Sequence, residues 1–296
     1  MPDILDSVPE RLISCLDHGH VRLVDCMPRL VPDDQTADAA IIQAARVSYG
    51  EGTKSISEDR TLIRYLMRHS HTTPLEMVEF KFHCKMPIFV ARQWIRHRTA
   101  SVNEVSGRYS EVKDEWYVPE LENIRAQSKT NKQGGEEQLP PELANEIREN
   151  YALNSGEAFD CYSAALTAGV SRELARINLP LSTYTEWYWK IDLHNLLHFL
   201  ALRCDSHAQY EIRVFAEAML KLITPIVPLT IEAWNDYHPM RGGMRLSRLE
   251  VEALTLLLET ADRYSNADIN SDNKREQAEW KQKLLRIEAG IAGDTH

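Results

Sequence analysis

Apolar and polar residues along the chain follow two rhythms. Over VEFKFHCK (78–85) they alternate strictly, with Val78, Phe80, Phe82 and Cys84 on one side and Glu79, Lys81, His83 and Lys85 on the other. A period of two is that of a half-buried strand. HVRLVDCMPRL (20–30) and STYTEWYWKI (182–191), rich in β-branched and aromatic residues, predict two more strands. Elsewhere the apolar spacing is helical. TADAAIIQAARVSYG (36–50) ends on Gly50, a common stop, and SEDRTLIRYLMRHS (57–70) offers Ser57 as N-cap with Leu62, Ile63, Leu66 and Met67 on one face. Pro87 suits the first turn of a helix over 87–98. Its last turn would carry Arg96, His97 and Arg98, where the helix dipole favours positive charge by ~0.3–1 kcal/mol. Further helices are predicted over 142–169 and 171–179, and 192–223 reads as strongly helical, with a helix over 192–203. The polar segment AQSKTNKQGGEEQLPP (126–141), with a Gly pair and a Pro pair, predicts a mobile loop. The class is α+β, a central antiparallel or mixed sheet flanked by helices, because strands and helices do not alternate regularly. Residues 1–238 are expected to form one domain, and 239–296 a charged helical extension of it.

Composition narrows the range of partners. A formal net charge of −10 argues against general nucleic-acid binding, which favours a basic surface, but leaves room for a small anion held by a local Arg cluster. No apolar run approaches membrane-spanning length. MPDILDSVPERL has no basic start before an apolar core, so no signal peptide is expected. The five cysteines, an odd number without a C-x-x-C pair, read as reduced thiols of a cytoplasmic protein. Neither G-x-G-x-x-G nor G-x-x-x-x-G-K-[ST] occurs, so any nucleotide must be held by side chains.

One stretch carries more directional chemistry than a surface loop needs. RHRTASVNEVSGRYSE (96–111) gathers Arg96, His97, Arg98, Ser101, Asn103, Glu104, Ser106, Arg108 and Tyr109. R-H-R followed by seven residues and Ser resembles the signature of flavin-dependent thymidylate synthases. The longer form R-H-R-x-x-S-x-N-E-x-S-x-R-Y is matched at every fixed position. HTTPLEMVEFKFHCKMPIFVARQW (71–94), LARINLPLSTYTEWYW (174–189) and LRCDSHAQYEIR (202–213) are similar to the family's flanking blocks, so the resemblance covers roughly residues 20–238.

That resemblance implies the family's fold and its reaction. The reaction is methylation of dUMP to dTMP, with 5,10-methylenetetrahydrofolate as carbon donor and NADPH-reduced FAD as hydride donor. It also implies a homotetramer with sites between subunits. Around dUMP it implies Gln93, Trp94, Ile95, Arg96, Glu104, Val105, Ser106, Gly107, Arg108, Arg176 and Arg203. Ser106 and Arg108 would lie near the phosphate. Around FAD it implies Thr73, Glu76, Arg96, His97, Arg98, Glu104, Asp192, Leu193, His194, His198 and His207. His71 would border the face where folate or nicotinamide arrives. Arg203 is the expected catalytic residue: a guanidinium beside O2 and N3 stabilises an N3-deprotonated, enolate-like uracil.

The residue chemistry suits these roles, since the planar fork of Arg grips phosphate oxygens in pairs. No cysteine stands in a P-C-H setting, so no covalent thiol is assigned. The match departs from the family on one helix, where many members have N-x-R-x-x-x-N and this chain has Asp192-x-His194-x-x-x-His198. The two histidines are i,i+4 neighbours on one face. With His207 nearby they also admit a metal-dependent hydrolase, although Asn195 stands where a metalloprotease has its Glu. A nucleotide-binding regulator without catalysis is the other alternative. Read alone, Arg96 and Arg98 are also a solvated helix end, and Arg203 also fits an ion pair with Asp205 or Glu211.

Overall fold

The computed structural model describes residues 1–47, 59–129, 134–241, 245–251, 254, 269 and 273–288. At its centre is a five-stranded sheet in the order β1-β2-β3-β7-β4, with every pair antiparallel. The strands are β1 (Leu12–Cys15), β2 (Gly19–Met27), β3 (Glu79–Pro87), β4 (Ser101–Glu104) and β7 (Tyr184–Asp192). Alternation decides the two faces. Phe80, Phe82 and Cys84 of β3 lie beside Trp187, Trp189 and Ile191 of β7, all of them buried. On the opposite face β3 and β7 carry Glu79, Lys81, His83, Glu186, Tyr188 and Lys190, none of them buried. There Lys190 Nζ donates to Glu79 at 2.7 Å across the strands, and His83 Nε2 sits 3.2 Å from Glu186. Lys85 departs from the alternation. It is buried at 8 % exposure, with Nζ 2.7 Å from Glu115, because residues 113–116 fold over the end of β3.

Helices cover the apolar face. The helices of the chain include α1 (Asp38–Val47), α2 (Asp59–Arg68), α3 (Ile88–Trp94), α4 (Pro141–Thr167), α5 (Arg172–Ala175), α6 (Leu193–Arg203), α7 (Tyr210–Ile223) and α8 (Pro228–Tyr237); α3, α6 and α7 lie against the sheet, whereas α4 and α5 form a separate cluster around Phe159, Tyr162 and Ala175. Trp94 of α3 ties three layers together. Its ring stacks on Phe199 of α6 at 5.0 Å and meets Trp187 and Trp189 edge-on at 5.4 and 5.3 Å, with Phe215 of α7 at 6.0 Å. Asp38 is buried at 1 % exposure near the start of α1, where its carboxylate accepts from Leu229 N, Thr230 N, Thr230 Oγ1 and Thr36 Oγ1. Four donors around one carboxylate offset its desolvation and cap the start of α8.

Several expectations are corrected. The helix predicted over 87–98 stops at Trp94, because residues 101–104 must return to the edge of β7 and leave no room for another turn. The loop predicted over 126–141 contains a hairpin, β5 (Arg125–Gln127) with β6 (Gly135–Gln138), and α4 already begins at Pro141. The helical stretch over 192–223 divides into two helices, the first close to the expected 192–203. Between them Asp205 accepts from the backbone N–H of His207 at 2.8 Å, a local turn that competes with helix. The predicted 171–179 helix is α5 followed by a 3-10 turn, Arg176–Asn178. Strands β1 and β4 were not predicted. Gly50 and Ser57, the expected stop and cap, lie outside the described residues.

The chain divides into two compact units, Met1–Trp234 and Asn235–His296. Within the second, Asn273 caps the helix Lys274–Glu288 by accepting from Arg275 N at 3.0 Å, and Tyr237 donates to the Glu276 carboxylate.

Candidate active site

The R-H-R turn hangs from the end of α3. Ile95 N donates to Ala91 O at 2.9 Å and His97 N to Trp94 O at 3.0 Å, so the turn is anchored to the aromatic core. Arg96 and Arg98 point outward and make no ion pair among the described residues. His97 turns inward. Its ring packs edge-on against Phe199 at 4.9 Å and lies 6.2 Å from His198. Its Nε2 accepts from Arg203 Nε at 3.1 Å. Burial, then the charge of Arg203 and that of His198, hold His97 down at about 4, so the imidazole is neutral near pH 7. Arg203 is the last residue of α6 and is half-buried; burial lowers its pKa too, although a guanidinium stays charged. The ion pair that would make it merely structural is not formed. Asp205 holds His207 at 2.8 Å, and Glu211 accepts from Tyr117 and Gln209.

A second group forms on the other side of the motif. Val105 N donates to Glu186 O at 2.8 Å, extending β4 by one residue, and the chain then turns as Tyr109 N and Ser110 N donate to Ser106 O. Ser106 Oγ accepts from Arg108 N at 3.3 Å. Gly107 leaves room for the Arg176 stem along the turn: a Cβ at that position would lie 3.1 Å from Val112 Cγ2 and 3.2 Å from Arg176 Cδ, so a side chain there would push these neighbours aside by a few tenths of an ångström. Glu104, Val105, Gly107 and Arg176 line a cavity of about 570 Å³. Arg176 makes no ion pair among the described residues, whereas Arg108 is held by Glu173 at 3.2 Å. Sequence reasoning missed several polar lining residues, among them Lys85, Lys113 and Thr185. Thr185 Oγ1 donates to Glu104 Oε1 at 2.6 Å, and Lys113 Nζ to Glu186 at 2.7 Å. The available signal was the Thr-rich start of β7 beside a paired edge strand.

The remaining expected residues sort by contact. Gln93 has a buried amide oxygen without a partner, an acceptor waiting for a donor. Trp94 and Leu193 are fully buried, so their side chains belong to the core and cannot face a ligand; Ile95 is exposed. Asp192 spends both carboxylate oxygens on Asn195, accepting from its N–H at 2.9 Å and its side chain at 2.7 Å, and so caps α6. Leu193 N donates to Val78 O at 2.8 Å, which sets the start of α6 beside the 3-10 turn bearing Thr73 and Glu76, both exposed. His71 and Thr73 line a mostly apolar groove of about 910 Å³ with Ala40, Ala44, Leu62 and Leu66. His194 is half-buried and His198 exposed; His207 is exposed beyond the helix. Among the described residues no three His, Cys, Asp or Glu side chains are grouped to hold a metal. None of the five cysteines is in a disulfide; burial pushes Cys15 and Cys26 up to about 12 and Cys84 well above its ordinary value.

The arrangement fits anionic, planar ligands. Exposed Arg96 and Arg98 free of carboxylates suit a pyrophosphate, and Arg176 in a cavity suits a phosphate. The family described as thymidylate synthase complementing protein matches residues 29–229. A flavin-dependent thymidylate synthase of Dictyostelium discoideum is 56% identical over 267 residues, covering 90% of this chain and 84% of that one. One from Gluconobacter oxydans is 55% identical over 226 residues, 75% of this chain and 72% of that one. Among solved structures, a UMP/dUMP methylase, PolB from Streptomyces cacaoi, bound with 5-Br dUMP, superposes with a TM-score of 0.65 at 34% identity. That match covers 76% of this chain and 98% of the methylase. With a family match across most of the catalytic fold and relatives at more than half identity, the chain belongs to the flavin-dependent thymidylate synthase family.

Proposed function

We propose that the two residue groups described above are halves of one active site, which the chain completes only as a homotetramer. The enzyme methylates dUMP to dTMP, taking the carbon from 5,10-methylenetetrahydrofolate and using NADPH and FAD. FAD, when bound, supplies the hydride. The observation that carries the residue assignment is the pairing of Arg203 with a neutral His97 at the end of the R-H-R turn. It supports a guanidinium whose charge is left available for a uracil ring. Gln93, with its unpartnered oxygen, would accept from the base, while Arg176, Arg108 and Ser106 would hold the phosphate. Arg96 and Arg98 would take the flavin's pyrophosphate. His194 and His198 would stand beside it in place of the commoner Arg and Asn, and His71 would border the folate or nicotinamide face. Residues 1–238 are assigned to catalysis and 239–296 to a helical extension of that domain.

Assembly follows from the separation of the halves. None of Gln93, Arg96, His97, Arg98 and Arg203 lines the cavity that holds Glu104, Gly107 and Arg176. A second copy would bring one half to the other, as closed symmetric assembly allows. Localisation in the cytoplasm is part of the same reading; it is compatible with cysteines held outside disulfides and with the lack, among the described residues, of any helix long and apolar enough to cross a membrane.

Two measurements test this. Purified protein should bind FAD with the flavin's visible absorbance, bleach with NADPH without oxygen, and form dTMP from dUMP and methylenetetrahydrofolate. A colourless protein that FAD does not stain would contradict the assignment. For assembly, Arg203→Ala and Arg176→Ala should each be inactive alone and regain turnover when mixed, unfolded and refolded together. An active monomer by light scattering would exclude the composite site.

A further inference from the structure

We propose that His97 is a positioning residue for the known reaction: as a neutral acceptor it orients the Arg203 guanidinium without cancelling its charge. This rests on the reading of Arg203 as the group that stabilises the activated uracil.

The geometry carries the argument. Arg203 spends its single Nε–H on His97 Nε2 at 3.1 Å. Its two terminal NH2 groups have no hydrogen-bond partner among the described residues, and they are the edge that could grip an imide oxygen and nitrogen side by side. A guanidinium on a long, flexible stem would ordinarily be fixed by a carboxylate. The two carboxylates closest in sequence are both engaged elsewhere, Asp205 with His207 and Glu211 with Tyr117 and Gln209. A carboxylate in the place of His97 would hold Arg203 equally well but would offset the positive charge on which the proposed catalysis depends. An imidazole lone pair holds it at no such cost.

His97 is itself rigid. Its backbone N–H is tied to Trp94 O, and its ring is pressed edge-on to Phe199, one helical turn before Arg203 on α6. Donor and acceptor therefore both stand on the same aromatic core. Because Nε2 accepts, the ring proton must sit on Nδ1. The burial that holds His97 near 4 keeps that state throughout the neutral range.

The test uses the FAD-loaded enzyme, reduced, without oxygen, and mixed with saturating dUMP and methylenetetrahydrofolate. His97→Leu removes the acceptor. His97→Gln places an amide oxygen near the same point. Loss of a hydrogen bond to a charged group predicts that His97→Leu reoxidises roughly ten- to a hundredfold more slowly. His97→Gln should recover most of the rate, and His97→Leu with Arg203→Ala should be no slower than Arg203→Ala alone. Multiplying effects in the double variant, or a Gln variant as slow as Leu, would overturn the positioning role while leaving Arg203 catalytic. A normal rate in Arg203→Ala would overturn both.

A second readout does not depend on flavin loading or activity. In the full-length protein labelled with 15N-histidine, His97 should show a bare Nε2 and a protonated Nδ1, and this preference should be lost in Arg203→Ala. A protonated Nε2 in the wild-type chain would refute the contact.

Discussion

Arg203→Ala is expected to lose about 10²–10³ in the rate at which reduced enzyme is reoxidised by dUMP and methylenetetrahydrofolate. That is the ordinary cost of removing one group that stabilises developing charge, ~2.7–4 kcal/mol. The expectation comes from a half-buried guanidinium whose terminal donors have no partner among the described residues and whose Nε donates to a neutral ring. Flavin reduction by NADPH should be close to normal, because that step needs no activated uracil. The contrast between the half-reactions is the test, and stopped-flow absorbance without oxygen measures both. Normal reoxidation at saturating nucleotide, with only the affinity for dUMP reduced, would make Arg203 a binding residue and not a catalytic one.

Trp94→Ala is expected to cost ~3–5 kcal/mol of stability, the usual range for emptying a large aromatic site in a core. Trp94 is fully buried among Phe199, Trp187, Trp189 and Phe215, on three different elements, so no one of them can collapse into the space. Against a typical total of about 5–15 kcal/mol this is a large share. Trp94→Phe should cost less than half as much, since it keeps a ring and removes an indole N–H that is buried without a partner. Chemical unfolding at one fixed protein concentration measures both, which matters if the chain is oligomeric. A change below about 1 kcal/mol in Trp94→Ala would mean that the ring is not the joint between sheet and helices. The functional consequence is indirect but specific. The R-H-R turn is hydrogen-bonded to Trp94 O, so loosening this ring should also disorder His97 and with it Arg203.

Part of the fold, and the segment proposed to form the site, were legible in the chain alone. The alternation over 78–85 announced β3, and its apolar members Val78, Phe80, Phe82 and Cys84 are all buried. The spacing from Arg96 to Tyr109 marked the segment proposed as functional, because it gathers more directional groups than a surface loop needs. Failures of the local reading share one cause. β4 is four residues long and mostly polar, and it is a strand only because β7 offers a free edge. The helix after Pro87 ends at Trp94 with no Gly or Pro to stop it, because the chain must come back to that edge. Lys85 follows the exposed rhythm of its strand, yet a remote segment covers it and supplies Glu115.

The sequence by itself determined the kinds of group present: arginines for anions, a histidine between two of them, and thiols none of which stands in a P-C-H setting. Local rules of period and propensity suffice for such statements, because they involve residues within a few positions of one another. Only the tertiary structure decided which groups meet. His97 and Arg203 lie 106 positions apart, and nothing in either neighbourhood says that one accepts from the other. Glu104 and Thr185, and Gly107 and Arg176, are likewise brought together by strand pairing and by the turn after it. Trp94, which the motif places among binding residues, becomes core because the helix ends with that side facing the sheet. Contacts of this kind depend on the register and packing of whole elements, a property of the folded chain that no short window of sequence contains.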